Sequence, residues 1–203
     1  MKKVIGITGG IGCGKSTVTD YLVKHYNAVP VIMDELGKQL MKPGKITYEK
    51  IIKLFGAELI REDNEIDTVR LSQIVFNDEK KLEALNKIIH PAVLDETLEI
   101  INSNEGVIVI ETALPVAARL NEYCDEIWYV YAPEELRISR LIENRGGSAE
   151  KWKSIIAKQC SEIEFEELAD VIIDNSGTLE QAQKQILNNL KDSDEISELS
   201  QQQ

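Results

Sequence analysis

The chain has 203 residues, 43% of them hydrophobic and 29% charged, with a formal net charge of −12. That length suits one α/β domain with a real core and an insertion, and the composition is that of a globular chain. So acidic a balance argues against general nucleic-acid binding and requires any site for a small anion to be locally basic.

Residues 3–8 are a short β-branched run that predicts a buried parallel strand. They lead into Gly9-Gly10-Ile11-Gly12-Cys13-Gly14-Lys15-Ser16-Thr17, which reads Gly, four residues, Gly-Lys-Ser: a Walker A phosphate loop. Val18, Tyr21 and Leu22 then recur at helical spacing over 16–26. Strand, glycine loop and helix is the context the motif requires. Its glycines let the backbone close around an anion, loop N–H groups turn inward on phosphate oxygens, and the helix adds its positive end. Lys15 is expected to reach the β- and γ-phosphates of ATP and Ser16 to ligate Mg²⁺, with Thr17 beside it. The same field is expected to favour the thiolate of Cys13 and make it the most reactive thiol.

Residues 29–33 predict a second strand ending at Asp34, and 35–41 a helix closed by Pro43-Gly44. From 47 to 104 the apolar residues keep helical spacing, through Tyr48, Ile51 and Phe55, then Val69 to Val75, then Leu82 to Ile89. The stretch reads as a mostly helical insertion in which Pro91 breaks a helix. Strand character returns at 106–111 and 126–131. Helices are expected at about 133–145 and 148–161 around Gly146-Gly147, a strand at 170–174, and a last helix with Leu179, Ala182, Ile186 and Leu190 on one stripe. The polar residues 193–203 are expected to be a disordered tail. Alternating strands and helices predict an α/β fold, a P-loop NTPase-type parallel sheet flanked by helices. Its site should lie beyond the carboxyl ends of the strands.

Asp34 is a candidate to hold Mg²⁺ through water or to accept a proton from an attacking hydroxyl, and alternatively to cap the helix that follows. Glu111, also at a strand end, is either a Walker B-like acid or a solvent-facing residue. Arg137, Arg140 and Arg145 cluster on one predicted helix, with Gly146-Gly147 as a hinge. They read as a lid that neutralises developing phosphoryl charge, or else as surface partners of Glu134, Glu135 and Glu143. His25 has no argument for function. Cys13, Cys124 and Cys160 lack Cys-x-x-Cys spacing, no signal peptide precedes the first strand, and no run approaches transmembrane length. A cytoplasmic protein without disulfides, membrane or nucleic-acid partners is expected.

Over most of residues 3–190 the chain resembles the dephospho-coenzyme A kinases. The resemblance is carried by Thr8-Gly9-Gly10-Ile11-Gly12, Val31-Ile32-Met33-Asp34, Phe55-Gly56, Ile89-His90-Pro91, the run from Arg140-Leu141 to Arg145-Gly146, Gln159, and Ala169-Asp170-Val171-Ile172-Ile173-Asp174-Asn175. It implies that ATP, with Mg²⁺, phosphorylates the ribose 3′-hydroxyl of dephospho-coenzyme A. It implies catalytic roles for Lys15, Asp34 as base and Arg140, nucleotide contacts from residues 9–17, Arg140 and Arg145, and acceptor contacts from Thr8, Asp34, Lys38 and His90. It also implies a core of 1–39 and 105–192, a substrate-binding insertion at about 40–104, a lid at about 137–160, and a monomer or weak homo-oligomer. Three positions depart from the family pattern: Ile32-Met33-Asp34 keeps only the second of two acids, Glu111-Thr112-Ala113-Leu114-Pro115 replaces a Pro-Leu-Leu, and Lys38 replaces a frequent arginine. A nucleoside or nucleotide kinase of the same fold and a non-catalytic nucleotide-binding protein are the alternatives. A GTPase switch is disfavoured, because Asn86-Lys87 is followed by Ile88-Ile89 rather than by the guanine signature.

Overall fold

In the computed structural model, which describes residues 2–76 and 78–192, five strands form one parallel sheet. They are β1 (Lys2–Thr8), β2 (Val29–Ile32), β3 (Gly106–Glu111), β4 (Glu126–Tyr131) and β5 (Val171–Asp174), in the order β2-β3-β1-β4-β5. β1 pairs with β3 from Lys2 opposite Gly106 to Ile7 opposite Glu111, and with β4 from Ile5 opposite Glu126 to Thr8 opposite Tyr129. The inner strands are apolar because both faces are covered. The edge strands are short and mixed: Ile172 of β5 is 49% exposed, and Pro30, with no N–H to donate, sits in edge strand β2.

The helices are α1 (Lys15–Tyr26), α2 (Met33–Leu40), α3 (Ile46–Phe55), α4 (Thr68–Phe76), α5 (Glu79–Ser103), α6 (Pro115–Ala118), α7 (Glu134–Arg145), α8 (Ala149–Ile156), α9 (Glu162–Leu168) and α10 (Leu179–Asp192). Single 3₁₀ turns lie at Ala57–Leu59 and Leu120–Glu122. The chain divides into two compact units, Met1–Val31 with Asn104–Gln203, and Ile32–Ser103.

In the first unit, Val18 and Leu22 of α1 and Ile186 and Leu190 of α10 close over Ile5, Ile7, Trp128 and Val130. Tyr129 points to the opposite face, where Phe165 of α9 stacks on it at 5.1 Å. Leu179, expected on the buried stripe of the last helix, is 51% exposed at its first turn.

In the second unit, Ile51, Leu59, Ile66, Leu71, Val75 and Leu85 form a separate core. Gly37 of α2 faces α5, where a Cβ would meet Val93 and Ile89 at 3.7 and 3.8 Å.

Four local expectations are corrected. β2 stops at Ile32, and Asp34 lies in the first turn of α2, whose N-cap is Ile32; Asp34 is therefore not the cap. α5 continues through Pro91, giving up one backbone bond on an exposed position rather than ending. The predicted helix 148–161 stops at Ile156, and a further helix, α9, begins after Ser161. Ser161 accepts from the Glu164 N–H while the Glu164 carboxylate accepts from the Ser161 N–H, a capping box legible as Ser-x-x-Glu. The expected disordered tail, 193–203, lies outside the described residues.

Candidate active site

The glycine loop leaves the carboxyl end of β1, the central strand, and turns directly into α1. Gly14, the residue before the helix, is held at φ 96° and ψ 32°, a left-handed conformation that favours glycine; a Cβ there would also lie 2.1 Å from Asn175 Nδ2. No side chain caps this end of α1 and no acid lies in its first turn. Its N–H groups and positive dipole end are thus left for an anion.

Side chains donate to four of the loop's carbonyls, those of Gly9, Gly10, Ile11 and Cys13. Lys15 Nζ donates to Gly9 O at 2.9 Å and to Gly10 O at 3.3 Å. Arg137 Nε donates to Ile11 O at 3.0 Å. Cys13 O accepts from Asn175 Nδ2 at 2.8 Å and from Arg140 Nη1 at 3.4 Å. Arg140 Nη2 also donates to Asn175 O at 2.9 Å, so one guanidinium spans the phosphate loop and the turn after β5. Three cations thus border the loop of an acidic chain, as the charge argument requires.

Glu111, 8% exposed at the end of β3, accepts from Thr19 Oγ1 at 2.8 Å and from Ser16 Oγ at 3.2 Å. It is the buried partner of the loop serine, not a solvent-facing residue. Thr8 Oγ1, fully buried at the end of β1, has no hydrogen-bond partner among the described residues. A buried hydroxyl left unpaired is costly.

Arg137 and Arg140 are not surface partners of Glu134, Glu135 and Glu143: Arg137 is 5% exposed and both donate to carbonyls. Arg145 is exposed in the last turn of α7, before Gly146 at φ 66°. Cys13 is buried, against the expectation of an open, thiolate-favoured position. Its side chain is 1% exposed within the core beneath the loop, and burial raises its pKa against the lowering effect of Lys15.

Asp34, Lys38 and His90 belong to the other unit. Asp34 and Lys38, four apart on α2, are exposed, and His90 is half-buried on α5. Asn175 and Gln159 had carried only family resemblance; no local pattern announces that they bond the phosphate loop.

A glycine loop opening a helix at the end of the central strand, with lysine, serine and a buried acid behind it, defines a P-loop nucleotide-binding phosphotransferase. The CoaE profile, dephospho-CoA kinase, matches residues 3–181. A dephospho-CoA kinase from Carboxydothermus hydrogenoformans is 39% identical over 188 residues, covering 91% of each chain. Among solved structures, a Thermus thermophilus protein superposes with a TM-score of 0.82 at 27% identity, covering 94% of this chain and 97% of its own. A dephospho-CoA kinase from Campylobacter jejuni shares the fold, with a TM-score of 0.69 at 23% identity and coverage of 95% and 98%. The chain belongs to the dephospho-CoA kinase family, ATP-binding transferases of coenzyme A biosynthesis.

Proposed function

We propose that this chain transfers the γ-phosphoryl group of ATP to the ribose 3′-hydroxyl of dephospho-coenzyme A, giving coenzyme A and ADP. The observation that carries the reading is the loop of residues 9–17, with its carbonyls engaged by Lys15, Arg137, Arg140 and Asn175 and the end of α1 uncapped. In this reading Lys15 binds the β- and γ-phosphates and Arg140 neutralises charge as it develops on the transferred group. Asp34 is the general base that takes the hydroxyl proton. Thr8 and Lys38 serve the acceptor from the core, and the insertion of about 40–104, which carries His90, binds it. Arg145 adds a nucleotide contact from a lid at about 137–160. The unpaired Thr8 hydroxyl supports a polar ligand there.

The hydroxyl of Ser16 and the carboxylate of Glu111 suit Mg²⁺, a hard cation that takes few protein oxygens and keeps several waters. Bound there, Mg²⁺ would neutralise phosphate charge. Ser16 would hold it, Glu111 would orient the Ser16 hydroxyl, and Thr19 would fix Glu111. The protein acts in the cytoplasm as a monomer or weak homo-oligomer; no described helix is long and apolar enough to cross a membrane.

The test is ADP release coupled to an indicator, with dephospho-coenzyme A compared with adenosine, AMP and no acceptor. Turnover is expected with dephospho-coenzyme A and much less with the others. Equal rates across all four arms would overturn the reading.

A further inference from the structure

We propose that Arg137 and Gln159 are a positioning pair that pins the Ile11 peptide and so presets the phosphate loop for nucleotide; this rests on that loop being the ATP site. Ile11 is held on both sides of its backbone. Its C=O accepts from Arg137 Nε at 3.0 Å, and its N–H donates to Gln159 Oε1 at 2.8 Å. Arg137 Nη2 also donates to Gln159 Oε1, at 3.4 Å, which closes the ring of contacts. The Ile11 side chain is seated against Ile138 and Leu141 of α7 and Trp152 of α8. One loop residue is thereby tied to α7, to α8 and to the segment after α8.

Two features show why the loop needs this restraint. Gly9 at φ 147° and Gly12 at φ 81° flank the Gly10-Ile11 segment as two permissive joints; Gly10 O is held from within the loop by the Cys13 N–H and Lys15, whereas the bonds to the Ile11 N–H and C=O come from outside it. Arg137 is 5% exposed and meets carbonyl and amide oxygens, with no carboxylate within ion-pair distance among the described residues. Burying a guanidinium without a counter-charge is expensive, and replacing it by an apolar side chain would remove that cost. A cation kept there under the phosphate loop serves orientation and a positive field rather than stability.

Gly10 supplies an independent handle. Its φ is not positive, so its backbone accepts alanine, yet the three atoms nearest an added Cβ are all in the Arg137 guanidinium, the closest, Nη2, at 2.2 Å. Gly10→Ala should therefore displace the flexible end of Arg137 without touching residue 137.

The experiment compares Arg137→Ala, Gly10→Ala and the double variant by calorimetric binding of MgATP, by thermal melting, and by the KM for dephospho-coenzyme A. A loop that is preset only part of the time binds with an affinity reduced by that fraction. Each single variant is expected to weaken MgATP by about tenfold or more, the scale of a hydrogen bond to a charged group. The KM for dephospho-coenzyme A should stay near that of the unaltered protein, and the melting temperature of free Arg137→Ala should not fall. The double variant should be within about twofold of the weaker single, since both changes break one pin.

MgATP affinity near that of the unaltered protein in folded Arg137→Ala overturns the proposal, as do multiplying effects in the double. Should Arg137→Ala fail to fold, Gln159→Leu, which removes the acceptor of both the Ile11 N–H and Arg137 Nη2, decides: a tenfold loss of MgATP affinity supports the pin, and unchanged affinity removes it. Calorimetry needs no acceptor. An unaltered protein that binds MgATP but shows no acceptor-dependent turnover therefore overturns the kinase reading and leaves this one standing.

Discussion

At the scale of single residues, charge is placed against the character of the whole chain. Lys15, Arg137 and Arg140 spend their donors on loop carbonyls, so none of the three is neutralised by a carboxylate among the described residues. Asp34 makes a clean test of base chemistry because it is exposed in the first turn of α2. Asp34→Asn should leave MgATP affinity within a few-fold and lower turnover by ~10²-fold or more, the scale of losing a general base. Collapse of ATP binding instead would make Asp34 a metal or structural residue.

The thiols give a second residue-level test. Cys13 is 1% exposed with its pKa raised by burial, and burial pushes Cys124 up to about 12, while Cys160 is partly exposed after α8. Thiolate fraction and access both govern alkylation. Cys160 should therefore label first by peptide mass spectrometry; faster labelling of Cys13 would mean that the loop opens.

At the scale of elements, α5 carries the clearest conflict between local propensity and position. A proline inside a helix costs about 3 kcal/mol relative to alanine, yet α5 runs for 25 residues with Pro91 within it. Pro91 is exposed, so little apolar burial is lost with its ring. Pro91→Ala should raise stability by about 2 kcal/mol, once the proline's stiffening of the unfolded chain is subtracted. Urea denaturation checks this, and a lower midpoint would show that Pro91 is needed in the fold. α9 shows the opposite case, a short helix whose start is written locally in the Ser161–Glu164 capping box.

At the scale of the molecule, strand order explains the site's place. β1 is central, so its carboxyl end is flanked by β3, which brings Glu111, and by β4, which leads into α7 and its arginines; β5, beyond β4, brings Asn175. Ligand bound to the native fold alone stabilises it by mass action. MgATP at about 100 times its Kd should add about 2.7 kcal/mol, read as a rise in melting temperature. Lys15→Ala should lose most of that rise at the same nucleotide concentration. An undiminished rise would place the nucleotide elsewhere.

The amino-acid sequence by itself determined what depends on neighbours along the chain. The phosphate loop was legible because its glycines answer local backbone demands, as Gly14 does at φ 96°. The strands were legible because burial on both faces requires continuous apolar runs, and the family followed from the loop and its companions. Tertiary structure alone decided which side chains serve the loop. Arg137 meets Ile11 across 126 positions, Gln159 meets it across 148, and Asn175 meets Cys13 across 162. Periodicity places a residue on a face but does not name what that face meets. The same limit hid the burial of Cys13, whose charged neighbours were readable while its desolvation was not. It also hid the passage of α5 through Pro91, where tertiary packing of the helix outweighs a local cost.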